Sequence, residues 1–293
     1  MDIDQKVFPN SRNRGDDRPK IPTLPFQRRF NCVSDTNDSG SKSSFQISKI
    51  QRAVVIGAGH GIGHALVTAL LKAAPEAQVF ASYHRPENAG PLLQISEARL
   101  RPHILDPLNS ESLEEFQQQV AKAGPVDLII NAIGFLHDQR FGPERSLAHL
   151  NLEQLQHTFA VNSFVTPLLA KTFKSHLPRE QPSAFVALSA MVGSIGENEL
   201  GGWHSYRASK TALNMFIKNI ALEFRRTGLP QCSVLAIHPG TTDTELSRPF
   251  SKNVKHQIWT PAESAAHILR TIESASLEGS GLFKNWDGRT LAW

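Results

Sequence analysis

Cysteine is nearly absent: Cys32 and Cys232 are the two in 293 residues. Two thiols give no disulfide framework and no metal-ligand spacing, and they fit a reducing, cytoplasmic setting. No apolar run approaches the ~20 residues that span a bilayer, and no apolar signal-peptide core opens the chain. Charge is close to balanced, at a formal +4. The basic residues are dispersed and carry no nucleic-acid-binding motif. Neither a membrane nor a nucleic acid is therefore an expected partner. The small positive excess suits ordinary solubility, and a cationic site for a phosphorylated cofactor would add to it. What is present is 40% hydrophobic residues, enough for one domain of about 240 residues with something left over.

The surplus sits at the start. Residues 1–49 are rich in Asp, Asn, Ser, Arg and Pro, and their few apolar residues have no period. This composition predicts a disordered extension. Arg12, Arg14, Arg18, Arg28 and Arg29 would suit a transit peptide, but Asp2, Asp4, Asp16 and Asp17 argue against one.

From Arg52 the chain alternates short apolar runs with amphipathic stretches. The runs predict strands at 53–56, 78–82, 103–105, 126–130, 185–188, 233–237 and 281–286. The stretches between predict helices at 61–74, 109–123, 151–177 and 206–226. A last helix at 261–274 opens on Thr260-Pro261-Ala262-Glu263, a capping box with proline in the first turn. Strands apolar throughout, alternating with helices, predict an α/β fold. Its sheet is parallel and doubly wound, with helices on both faces, in a single domain over 50–293.

Gly57-Ala58-Gly59-His60-Gly61-Ile62-Gly63 follows the first strand and opens the first helix. Glycines there let the backbone turn tightly and approach a pyrophosphate, while the helix N-terminus offers free N–H groups. Ile62 stands where the common G-x-G-x-x-G pattern has its third glycine, so the spacing is G-x-x-x-G-x-G. Strand and helix context still predict dinucleotide binding. His60 and His64 share a possible metal spacing, but no third ligand is near and no metal is expected. The second strand ends at Ser82-Tyr83-His84-Arg85, with no acidic residue before Glu87. An acid there would favour NAD. Arg85, helped by His60, could instead meet a 2′-phosphate, so NADP(H) is favoured over NAD(H). Asp106, after the third strand, would accept from an adenine amine or simply make the turn before Pro107.

Tyr206 and Lys210 lie four residues apart at the start of a predicted helix, and so on one face. A cation about 4 Å from the phenol, at an effective dielectric near 20, is worth roughly 4 kcal/mol. That would lower the tyrosine pKa by up to about three units, toward the range of a general acid/base.

Together these residues resemble the short-chain dehydrogenase/reductase family over about Arg52–Trp293. The glycine loop, Asn131-Ala132-Ile133-Gly134, Asn162, Ser189, Tyr206/Lys210 and Pro239-Gly240 occur in that order. Within the family the chain is most similar to the C-factor-like or sniffer-like carbonyl reductases. Ser189 to Ile195, Gly201-Gly202-Trp203 and His238 to Thr244 carry that likeness. The resemblance implies a Rossmann-type fold and an NADP(H)-dependent oxidoreductase acting on a small carbonyl or alcohol. It implies that Tyr206 moves the proton, that Lys210 lowers its pKa and holds the nicotinamide ribose, and that Asn162 binds a relay water. Asn131, Ala132 and Gly134 would lie along the cofactor, and Pro239, Gly240 and Thr242 beside its carboxamide. It also implies a homodimer through the helices around Asn162 and Tyr206.

The chain departs from the family at Ile56, where threonine is usual. It also departs at the catalytic serine. Counting back from Gly193 places Ala190 where that serine is expected. Ser189 is one residue early, and Ser194 follows the glycine. A one-residue offset in a strand turns the side chain to the other face. The partner of Tyr206 is therefore Ser189, Ser194 or no serine at all. That anomaly supports a second reading, a cofactor-binding signalling or regulatory protein with weak or no turnover. The 190–205 loop, including Trp203, and the 241–259 segment are expected to wall the substrate pocket.

Overall fold

The structure, a computed structural model, describes residues 45–252 and 255–293. The extension expected over 1–49 lies outside the described residues up to position 44. Phe45, Ile47 and Ile50 are buried, and the Ile47 N–H donates to Glu273 Oε1 at 2.9 Å.

Seven parallel strands form one sheet in the order β3-β2-β1-β4-β5-β6-β7. They are β1 (Arg52–Ile56), β2 (Gln78–Tyr83), β3 (Leu100–Ile104), β4 (Leu128–Asn131), β5 (Ser183–Leu188), β6 (Cys232–His238) and β7 (Leu282–Asn285). The helices are α1 (Gly61–Ala73), α2 (Gly90–Leu93), α3 (Ser110–Ala121), α4 (Leu152–Phe159), α5 (Val165–Phe173), α6 (His204–Arg226) and α7 (Pro261–Ser274). The expected doubly wound α/β fold is what the chain adopts. The central strands are buried on both faces because helices cover both. Val55, Ile130, Val186 and Ile237 pack with α1 and α7, and Val54, Ile129, Phe185 and Ala236 pack with α3, α5 and α6.

Strand order reverses between β1 and β4, and this opens a crevice at their carboxyl ends, where open α/β sheets bind ligands. The short α2 has no counterpart among the expected helices, and two expected elements differ most. β3 begins three residues before the expected start, because as an edge strand it tolerates Pro102 and leaves Ile104 61% exposed. Its apolar content therefore understates its length. The single helix expected over 151–177 is α4, a π-helical turn at Ala160–Phe164, then α5. The turn surrounds Asn162, whose side-chain bonds are described below. The Thr260 capping box forms as expected, with Glu263 and Thr260 bonding reciprocally.

Candidate active site

The glycine loop leaves β1 and turns into α1 at the mouth of the crevice. Gly57 and Gly61 have φ of 81° and 58°, a region side chains disfavour. A Cβ on Gly63 would stand 2.1 Å from the Gly57 carbonyl oxygen, so the loop and the first helical turn meet backbone to backbone. A Cβ on Gly59 would press the Asn88 carbonyl at 3.1 Å. The loop is pinned to β2 by the Ala58 N–H on the Ser82 carbonyl at 2.6 Å. Ile62 turns inward onto the core, as does Ala132. His60 and Arg85 are exposed beside the loop and at the end of β2. Asp106 accepts the Leu108 N–H at 3.0 Å and so makes the turn before α3. Among the described residues no three His, Cys, Asp or Glu side chains gather as a metal site.

Across the crevice, β4 ends at Asn131. Its Oδ1 accepts the Ile133 N–H at 3.1 Å, and its amide donates to Thr166 on α5 at 3.0 Å. Asn131 therefore shapes the 131–134 turn. Gly134 comes next, and a Cβ there would lie 3.7 Å from Lys210 Nζ. Asn162 grips the following residue from both sides. Its Oδ1 accepts the Phe135 N–H at 2.7 Å, and its amide donates to the Phe135 carbonyl at 2.9 Å and to Ser209 Oγ at 3.0 Å. π-turns of this kind recur at functional sites. Pro239 and Gly240 follow β6. Gly240 has φ 79°, and a Cβ there would collide with Trp259 at 2.6 Å. Thr242 is buried and bonds Ser264 Oγ on α7 at 2.7 Å.

Tyr206 and Lys210 sit on one face of α6, with Lys210 Nζ 5.9 Å from the Tyr206 ring centre. Both are buried, at 9% and 3% exposure. Lys210 Nζ donates to the Leu188 carbonyl at the end of β5 at 2.9 Å. Burial dominates both acidities. It pushes the Tyr206 phenol up to about 12 and the Lys210 ammonium down to about 8. The lowering of the phenol expected from the Lys210 charge is not what the structure gives: burial raises the phenol instead, because desolvation penalises phenolate and ammonium alike.

The two sides of the β5 end differ. The Ser189 hydroxyl donates to Asn214 Oδ1, two turns along α6 from Tyr206, at 2.7 Å. Ser194 lies beyond the next turn, where its Oγ accepts the Glu197 N–H at 3.2 Å. The residue that packs with Tyr206 is Ala190, together with Leu136. The alternation of an extended chain accounts for this: Ser189 and Ala190 cannot face the same way.

The remaining wall around Tyr206 is aromatic. Trp203 meets the Tyr206 ring edge-on at 6.2 Å and the Phe250 ring at 5.2 Å. Val192 and Leu246 pack against the same cluster. Both segments expected to wall the pocket therefore reach the tyrosine. Trp293 settles elsewhere, stacked on Phe283 at 6.1 Å, with its carbonyl accepting the Gly196 N–H. Two residues escape sequence reasoning. Ser209 bonds both Asn162 and the Tyr206 carbonyl, the latter at 2.8 Å. Glu144 accepts from the first turn of α6. The only sequence signal near Glu144's partners is Gly201-Gly202, which marks unusual backbone.

The short chain dehydrogenase family profile matches residues 51–255. Among curated proteins, the chain is 27% identical to 1-hydroxy-2-glutathionyl-2-methyl-3-butene dehydrogenase of Rhodococcus sp. (strain AD45). That match covers 82% of this chain and 98% of the relative. It is 26% identical to the C-signal of Myxococcus xanthus over 58% of this chain and 94% of that one. Among solved structures, an NADPH-bound carbonyl reductase from chicken fatty liver superposes with a TM-score of 0.74 at 25% identity. It covers 83% of this chain and 99% of that one. The carbonyl reductase Sniffer of D. melanogaster shares the fold with a TM-score of 0.73 at 23% identity, over 83% and 99% of the two chains. With the profile matched over more than half its length, the chain belongs to the short-chain dehydrogenase family.

Proposed function

We propose that this chain is an NADP(H)-dependent oxidoreductase of the carbonyl reductase type, with Tyr206 as its acid/base. The observation that carries the reading is the burial of Tyr206 and Lys210 on one face of α6, beside Gly134 and the glycine crevice. The side-chain-free approaches at Gly57 and Gly63 fit a dinucleotide pyrophosphate. Arg85 and His60, with no carboxylate before Glu87, support the 2′-phosphate form. A bound nicotinamide supplies or takes the hydride. The chain's own residues do the rest. Tyr206, neutral at pH 7, donates its phenolic proton to the carbonyl oxygen as the carbon is reduced, and takes it back in the reverse direction. Lys210, charged below about pH 8, stabilises the resulting phenolate and stands close enough to Gly134 to meet a ribose hydroxyl. Asn162 fixes the Phe135 peptide beside this pair. Asn131, Ala132, Pro239, Gly240 and Thr242 form the cofactor-facing turns. Leu136, Trp203, Leu246 and Phe250 exclude water from the reacting oxygen. The decisive experiment is NADPH consumption across a panel of small carbonyls, wild type against Tyr206→Phe.

Ala190 favours a second reading, that of a cofactor-binding regulatory protein. Tight NADPH binding with no turnover on any carbonyl would select it. For the enzyme reading, the serine question has its own expected result. Ser189→Ala will change kcat by less than about threefold, because its hydroxyl is committed to Asn214. Ala190→Ser will raise kcat about tenfold, a fraction of the 10²–10³-fold that an optimised oxyanion donor supplies. A large loss in the first variant would return Ser189 to the catalytic set.

A homodimer in a cytoplasmic setting completes the proposal. Phe164, Met215 and Leu222 are 46%, 61% and 44% exposed on the π-turn and α6, and apolar surface of this kind marks an interface. Static light scattering at micromolar concentration should give twice the chain mass, and a monomer there would remove the dimer.

A further inference from the structure

The first turn of α6 begins without a side-chain cap of its own. Its N-cap residue is Trp203, which accepts no capping bond. Trp203 is also the only non-glycine among the described residues with positive φ, at 49°. With Gly201 and Gly202 at φ 63° and 64°, three successive residues are left-handed immediately before the catalytic helix. Such a run is unfavourable for a tryptophan and persists only where its surroundings hold it.

Glu144 does the holding. It lies in the long connection between β4 and α4 and is 2% exposed. Its backbone carbonyl accepts the Trp203 N–H at 2.5 Å. Its Oε2 accepts the Ser205 N–H at 3.2 Å, and its Oε1 takes the Ser205 hydroxyl. One residue distant in sequence thus satisfies the N–H groups on either side of His204, and a carboxylate suits the positive end of a helix dipole. Two side chains project from the segment it fixes. One is Tyr206, next after Ser205. The other is Trp203, whose ring abuts Tyr206 and Phe250. The far end of the same connection is held at Phe135 by Asn162. Between these points Gln154 donates to the Gly142 carbonyl at 2.7 Å. The connection is therefore a brace from the π-turn to the start of α6.

We propose that Glu144 is a positioning residue: it sets the height and rotation of Tyr206 and the Trp203 wall by capping α6 from outside its own sequence. This rests on the oxidoreductase reading. The brace works by reach, so side-chain length decides the outcome and charge is secondary. Glutamine keeps an acceptor oxygen at the same distance. Aspartate keeps the acid but falls one methylene short.

The test compares Glu144→Gln, Glu144→Asp and Glu144→Ala in the full chain, measuring kcat, KM, NADPH Kd by fluorescence and Tm. The expected order of kcat is wild type, then Gln within about threefold, then Asp about tenfold down, then Ala about 10²-fold down, the loss that a misplacement of about 1 Å produces. NADPH Kd should stay within about threefold throughout, because the glycine loop is untouched. Aspartate equal to or better than glutamine would overturn the proposal. So would unchanged kcat in all three with only Tm lowered, which is the signature of a purely structural cap. Should the alanine variant not fold, the Gln and Asp pair decides alone. A wild type that binds NADPH but reduces no carbonyl fails the oxidoreductase reading itself, visibly and in the same assay, and takes this proposal with it.

Discussion

Tyr206→Phe will lower carbonyl reduction by about 10²–10⁴-fold, the range for loss of a positioned general acid, and leave NADPH affinity nearly unchanged. The substitution removes one oxygen and nothing else. The ring keeps its place against Leu136, Ala190 and Trp203, so packing and stability should hold. The loss should be large because the residues at the end of β5 offer no hydroxyl to replace the phenol. Ser189 is bonded to Asn214, and Ala190 has no donor to give. The phenol is neutral up to about pH 12, so the proton is present at every ordinary assay pH, and the effect should not fade between pH 6 and 9. Steady-state kinetics with the best carbonyl of the panel, together with cofactor titration, measure both halves. Residual turnover above one tenth of wild type would remove Tyr206 from the chemistry. A weakened cofactor Kd would show instead that the hydroxyl serves binding.

Much of this site was legible because sequence period and helix geometry carry it. The i, i+4 spacing alone places Tyr206 and Lys210 on one face. The Thr260-Pro261-Ala262-Glu263 signal bounds α7 to the residue, since capping chemistry is local. The offset of Ser189 against Gly193 is matched at the strand end by different partners on α6: the Ser189 hydroxyl bonds Asn214, and the Ala190 methyl packs with Tyr206. What stayed hidden is what depends on distant chain. The π-turn at Asn162 is held by bonds to Phe135 and Ser209, 27 and 47 residues away, and no local pattern announces it. Glu144 acts 61 residues ahead of Ser205. The acidity of the pair also escaped, because a spacing argument supplies the Coulomb attraction without the burial that opposes it.

That opposition makes Lys210→Met the more informative of the two large effects. Activity should fall at least about 10²-fold, as the phenolate loses its counter-charge and a ribose hydroxyl its partner. Stability without cofactor should move the other way. The ammonium drops from 10.5 to about 8 on folding, with burial as the cause. At about 1.4 kcal/mol per pKa unit, the buried charge costs roughly 3 kcal/mol. The Nζ bond to the Leu188 carbonyl returns about 1 kcal/mol that methionine forfeits. The variant should therefore be more stable by about 2 kcal/mol at pH 7. The sign with pH follows from proton counting. Between about pH 8 and 10.5 the unfolded chain holds the lysine proton and the folded one has released it. Wild-type stability thus gains as pH rises through that window, and the methionine variant lacks the gain. Tyr206 contributes the opposite slope, but only from about pH 10 to 12, where the folded state keeps a proton that the unfolded state loses. Urea unfolding of both proteins at pH 7 and pH 9.5 isolates the lysine. The gap should be widest at pH 7 and narrow at pH 9.5. A variant less stable than wild type at both values would mean that the ammonium is paid for by contacts the free enzyme already makes, and that Lys210 is a structural cation before it is a catalytic one.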